Sequence, residues 1–338
     1  LATLALAASS LVGGLSTSPA MYVGSAALLG VFFALNSGTA DSIVYDTVIE
    51  VTGSADAYEK WIGRIHVVEA SALVVSALLG GLLAALSSAR ITYLVTVPLV
   101  ATAILAFRRS REPQLHRTAE RVRFREQATA TVRVLTADRA LRPVIALTAL
   151  SAVVATVIFE FGPLWLVSLH ARASLYGPYW ALLVSTGGLG GWLASRARLD
   201  RPGAAIGLGA TLVLAAVVPA LSDSLTLVIS AQIVVALAAA MIGVRASRLL
   251  HDAVGSHLRA GVSSGAGTLS WLTFLPVSVL FGRLSSGYGI QTAALLLVVL
   301  AVATAVLMAQ TTLRSRRTVP GAVVNPAELA RELVPSTS

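Results

Sequence analysis

The chain has no cysteine, and so no disulfide and no thiol chemistry. It has one lysine, Lys60, against 24 arginines, which we read as the coding bias of a GC-rich bacterium. Charged residues make up only 12% of it, where a soluble domain carries about 25%. The five histidines are scattered, at no spacing that holds a metal, so neither a metal site nor a cofactor is expected. There is no HExxH motif. Glycines 187, 188, 190 and 191 follow no predicted strand, so they are read as helix packing contacts and not as a dinucleotide fingerprint.

What the chain has in quantity is apolar sequence. Hydrophobic residues reach 56%, and the mean hydropathy is +0.81. Ten apolar runs stand out, at about 1–15, 20–47, 62–86, 91–107, 143–169, 179–194, 203–221, 225–244, 261–281 and 290–311. Runs of this length read as membrane-spanning helices. The expected fold class is therefore all-α, a polytopic membrane protein. The first run begins at Leu1 without the charged leader of a signal peptide, and the expectation is a fragment whose N-terminal part is missing.

One stretch interrupts the apolar pattern. From Arg108 to Arg142 the chain holds ten arginines against Glu112, Glu120, Glu126 and Asp138. Unpaired charge at that density cannot sit in hydrocarbon, so the stretch is an aqueous connector. Four runs precede it and six follow. The domain boundaries expected are an N-terminal bundle over 1–107, the connector over 108–142, a C-terminal six-helix bundle over 143–311 and a polar tail over 312–338. Within the connector, Val122, Phe124, Ala128, Val132 and Leu135 stand at partly helical spacing, which suits an interfacial amphipathic helix or a plain solvated one.

Basic loops stay in the cytoplasm. With the connector inside and sides alternating from there, 22 of the 25 basic residues fall inside; only Arg90, Arg172 and Arg283 fall outside. The expected location is the bacterial cytoplasmic membrane, with connector and C-terminus cytoplasmic. The net charge of +9 then reflects topology and calls for no nucleic-acid partner. The expected partners are the lipid bilayer, a small-molecule substrate and a coupling proton. Trp165, Tyr179 and Trp180 suit an outer aromatic belt. Trp271 and Phe274 are read as core packing in preference to a cavity lining.

Ionisable groups inside spans are expensive and are functional candidates by default. Asp41 and Glu69 lie six and seven residues from the assumed inner ends of their spans, about 10 Å deep at 1.5 Å per residue. Those spans run in opposite directions, so the two carboxylates could share a proton or a cation. Glu160 lies about 25 Å along its span from Pro143, in the outer half. The apolar run SAVVATVIF before it gives it few local partners, and a buried carboxyl is expected. Asp46 with Arg64, and Arg245 or Arg248 with Asp252, stand near inner ends and are read as gate or hinge ion pairs.

Four spans, a long basic loop and six more spans resemble the major facilitator superfamily of transporters, with about ten of its twelve helices present. Ser37, Gly38, Tyr45 and Asp46 match an SGxxxxxxYD pattern of bacterial facilitators, and Tyr58, Gly63 and Arg64 follow as such sequences do. LHDAVGSHLRAGVSS at 250–264 echoes IVYDTV at 43–48, with Asp252 in the place of Asp46. The family's loop motif, expected again near 191–201, has Ser195 where an aspartate belongs, and its antiporter motif is reduced to Gly80–Gly81. The resemblance implies two helical bundles and a secondary transporter working by alternating access, not an enzyme. The rival classes are a non-transporting membrane interaction protein and, behind it, a membrane-embedded enzyme.

Overall fold

The structure is a computed structural model. It describes residues 1–36, 47, 50–51, 58–109, 141–253 and 259–317, without the side chains of 36, 58–63, 66–67, 107–109, 251–252, 259–261 and 315–317. Ten α-helices occupy the described residues, at the places the apolar runs predict: α1 Ala2–Leu15, α2 Pro19–Asn36, α3 Tyr58–Leu86, α4 Ala89–Arg109, α5 Arg142–Ser168, α6 Tyr176–Arg196, α7 Pro202–Leu221, α8 Leu225–Asp252, α9 Arg259–Tyr288 and α10 Ile290–Arg317. Seven of them are long and apolar enough to cross a membrane; α1 and α2 are shorter apolar helices. Among the described residues there is no strand. The connector and the tail lie almost wholly outside the described residues, as does the expected interfacial helix.

The chain divides into two compact units. One comprises Leu1–Glu126 with Leu166–Gly188, the other Gln127–Trp165 with Leu189–Ser338. In the first, α1 packs against α2 and α4. Hydrocarbon gives apolar helices no reason to associate, so close packing of small residues and interhelical hydrogen bonds must do it. The buried face of α1 is built that way, from Ser9, Ser10, Gly13 and Gly14. Ser9 Oγ donates to the Ser25 carbonyl at 2.8 Å, and Ser25 Oγ donates back to the Ser9 carbonyl at 2.9 Å. Gly13 lies against the Tyr93 ring and Gly14 against Leu94, each too close for a Cβ. Arg90 Nη2 donates to the Ser16 carbonyl at 3.2 Å and fastens the start of α4 to the end of α1. Ser25→Val removes one reciprocal bond and should cost about 1 kcal/mol. Thermal unfolding in detergent reads this as a lower midpoint; an unchanged midpoint would show that the pair contributes nothing.

In the second unit α7 packs against α8 and α10, and α9 against α10. Here α5 and α8 are the most enclosed spans, and on α5 Leu147, Val154, Val157 and Ile158 are fully buried. Gly190 of α6 lies against Ala240 of α8, closer than any Cβ would allow, while Gly187, Gly188 and Gly191 have open space around them. Only one glycine of the GGLGG run is therefore a close packing contact.

Two further sequence expectations change. The run expected to end near residue 244 continues as helix to Asp252. Ala246 and Leu250 explain it: at helical spacing they are buried, and Leu250 joins Leu141, Ile145, Val262 and Ala266 in an apolar cluster. Packing of those side chains outweighs the polar composition of the segment. The aromatic belt is the second. Trp165 and Tyr179 are buried, at 1% and 2% exposure, so they face protein and not the bilayer interface. The Trp165 indole Nε1 donates to the Pro219 carbonyl at 3.1 Å. That carbonyl belongs to the last turn of α7, which has no helical N–H left to offer it. Trp165→Phe keeps an aromatic ring but deletes the donor and part of the buried volume, and should cost about 1–3 kcal/mol or more by leaving a buried carbonyl unsatisfied beside a small void. A melting temperature equal to the parent's would refute this cap. Residues 261–265 read GVSSG, the spacing of a hydrolase nucleophile elbow. This stretch lies inside α9, which begins at Arg259, so residues 261–265 are helical and do not form the strained turn that exposes such a serine.

Candidate functional site

Helix α5 is mostly enclosed, yet its second half has one open stripe. Glu160, Leu164, Val167 and Ser168 are exposed and lie at helical spacing on one face. The burial expected for Glu160 is therefore not found. The helix is packed on its other faces, and its single acid points away from that packing. Glu160 makes no hydrogen bond or ion pair among the described residues.

The residues beside Glu160 turn inward and form an aromatic stack. Phe161 lies parallel to the fully buried Phe281, with ring centroids 4.4 Å apart, and Phe274 stands 6.2 Å from Phe161. Trp165 packs on Phe281 at 5.8 Å. Trp271 meets Phe274 edge to face at 5.8 Å but is 60% exposed. Phe274 is core, as the sequence suggested, and Trp271 is not. The stack ties α5 to α9 directly behind the exposed carboxylate.

Arg64 and Glu69 both lie on α3 and are exposed. Both take part in interactions with other groups. Asp41 and Asp46 lie outside the described residues, so the pairs Asp41–Glu69 and Asp46–Arg64 have no geometry here. Asp252 ends α8, and its side chain lies outside them too.

Arg245 and Arg248 do come together with something, and it is not what spacing suggested. They project from α8 into a cavity of about 370 Å³, whose opposite wall is the end of α6 and the loop after it. That wall supplies Arg196, Arg198 and Asp200. The Arg196 guanidinium carbon lies over the Trp192 ring, 3.8 Å from its centroid, and Trp192 is itself exposed. Ser195 Oγ donates to the Trp192 carbonyl at 2.7 Å, so this residue serves its own helix end. Sequence reading singled out Arg245 and Arg248; it used Arg196 and Arg198 only to orient the chain and gave Asp200 no role. The signal was present in SRARLDR; what was missing was that α8 continues far enough to meet it. Among the described residues, no group of His, Asp and Glu is placed to hold a metal.

The profile of the Major Facilitator Superfamily matches residues 1–273. Among solved structures, the chain is similar to a bacterial homolog of the human lysosomal transporter Spinster in its inward-facing, unoccupied conformation. The TM-score is 0.67 at 15% identity, over 95% of this chain and 84% of that one. The same bacterial homolog in its inward-facing, occupied conformation gives a TM-score of 0.63 at 17% identity, over 94% and 82%. No curated protein sequence matches significantly.

Proposed function

Because the chain belongs to the Major Facilitator Superfamily, we propose that this membrane transporter is a secondary active one, which carries a small molecule across the bacterial cytoplasmic membrane by alternating access. Glu160 is the observation that supports the finer reading. A charged side chain facing hydrocarbon costs about 2.5–3.5 kcal/mol at the least. Glu160 is exposed on a strongly apolar span, and in this reading the open stripe of α5 looks onto water or polar groups instead of lipid. An aqueous path through a membrane protein is what a transported solute requires.

In this reading Glu160 binds the coupling proton or a cationic group of the substrate, and the aromatic stack behind it keeps the backbone of α5 in place while it does so. Asp41 and Glu69 are the corresponding candidates in the other half of the chain. Arg245 and Arg248 act at the inner end, where their partners include the loop bearing Asp200 as well as Asp252. The loops 196–201 and 108–142 face the cytoplasm by their arginine content.

Sidedness is open to direct measurement, since the chain has no native cysteine to remove. Ser110→Cys and Ser315→Cys should react with a membrane-impermeant maleimide only when it is admitted to the inside. Reaction of either in intact cells would overturn the orientation.

A further inference from the structure

The arginine cavity of the second unit has a feature that a gate alone does not require. Among its described lining residues four are arginines, Arg196, Arg198, Arg245 and Arg248, against one carboxylate, Asp200. The wall is thus cationic by three charges, with guanidinium groups from two helices and a loop. Such an arrangement matches the several oxygens of a phosphoryl group. The cavity also opens beside apolar surface. Val244 lines it and is 45% exposed, and Leu189 and Trp192 are exposed on the last turns of α6. Arg196 is held against Trp192, so one arginine is fixed where charge gives way to apolar surface.

We infer that this cavity binds a phosphoryl anion, and that the apolar strip beside it fits the acyl chains of an anionic phospholipid whose headgroup enters the cavity. A headgroup phosphate would sit among the four guanidinium groups, with its glycerol turned toward Trp192 and its chains along Leu189. Asp200 opposes the anion and sets an upper limit on affinity. Basic clusters at a membrane surface gain about 1 kcal/mol per arginine from anionic lipid, so two arginines correspond to a preference on the order of tenfold or more. The site needs no transported substrate.

The test uses the full chain purified in detergent and in nanodiscs. Native mass spectrometry and thermal unfolding compare phosphatidylglycerol, phosphatidylcholine and inorganic phosphate. The parent should retain phosphatidylglycerol on the order of tenfold better than phosphatidylcholine and melt higher with it. Arg196→Gln with Arg198→Gln should abolish that preference while melting as the parent does in phosphatidylcholine. Asp200→Asn should strengthen it, which keeps the test decisive if the double variant folds poorly. Stabilisation by inorganic phosphate alone, with no lipid preference, would assign the same site to a soluble phosphate compound. Absence of both effects in the parent, or a lipid preference untouched by both the double variant and Asp200→Asn, would overturn the site.

Discussion

Glu160→Gln is expected to insert and fold as the parent does and to lose transport by about tenfold or more, a barrier increase of about 1.4 kcal/mol at the least. The substitution keeps the shape and the hydrogen-bonding capacity of the side chain but removes its charge and its exchangeable proton. The position is exposed, so no buried partner is stranded by the change. The aromatic stack of Phe161, Phe281 and Trp165 remains intact behind it. A loss of rate without a loss of stability therefore isolates the charge. Ligand screening by thermal shift on the parent supplies the substrate, and uptake into proteoliposomes compares the two proteins. Glu160→Asp should retain part of the rate. If Glu160→Gln transports like the parent at every pH from about 5 to 8, the residue has no part in transport, and Asp41 and Glu69 become the candidates.

Gly81→Leu is expected to abolish the folded first unit. Helix α3 crosses the start of α6 with Gly81 against Gly177, backbone on backbone. A Cβ on Gly81 would collide with the Cα and N of Gly177; one on Gly177 would meet the Ala77 carbonyl oxygen at 2.9 Å and the Leu78 carbonyl oxygen at 3.3 Å. Main-chain atoms cannot rotate away as a side chain can, so the helices must part along the crossing. Overpacking typically costs about 1–3 kcal/mol, and a clash of backbone on backbone, which no rotamer relieves, falls at the upper end of that range or beyond it. The neighbouring Gly80 supplies the control, since nothing lies within 4 Å of a Cβ there. Gly80→Leu should give normal monodisperse protein, whereas Gly81→Leu should aggregate or fail to accumulate. Equal behaviour of the two would show that the crossing does not hold the unit together.

Much of the fold was legible because hydropathy is a one-dimensional signal. A helix end in a membrane protein is marked by where apolar residues stop, and the starts of α5, α7 and α10 fall within a residue of the expected positions. The reading failed where packing outweighs composition. Polar sequence hid the last two turns of α8, because Ala246 and Leu250 are only two residues among arginines and a histidine. Trp165 and Tyr179 look like belt residues in a sequence; only tertiary structure puts the Pro219 carbonyl above one of them. Glu160 was legible as a lone acid in an apolar run, but its exposure was not, since that depends on which face of α5 the other helices cover. The arginine cavity was half legible: the two arginines of α8 were found, and the wall they face was not. Pairing between distant segments leaves no trace in composition.

The central claim is that the open stripe of α5 faces water. Leu164, one turn beyond Glu160 and 40% exposed, reports on it with no change to the carboxylate. Leu164→Cys can be compared with Leu214→Cys on α7, a position 70% exposed on a helix with no ionisable residue. A charged, membrane-impermeant maleimide should label Leu164→Cys in proteoliposomes and leave Leu214→Cys unreacted. Failure to label Leu164→Cys from either side would place the stripe against lipid and contradict the transport path built on Glu160.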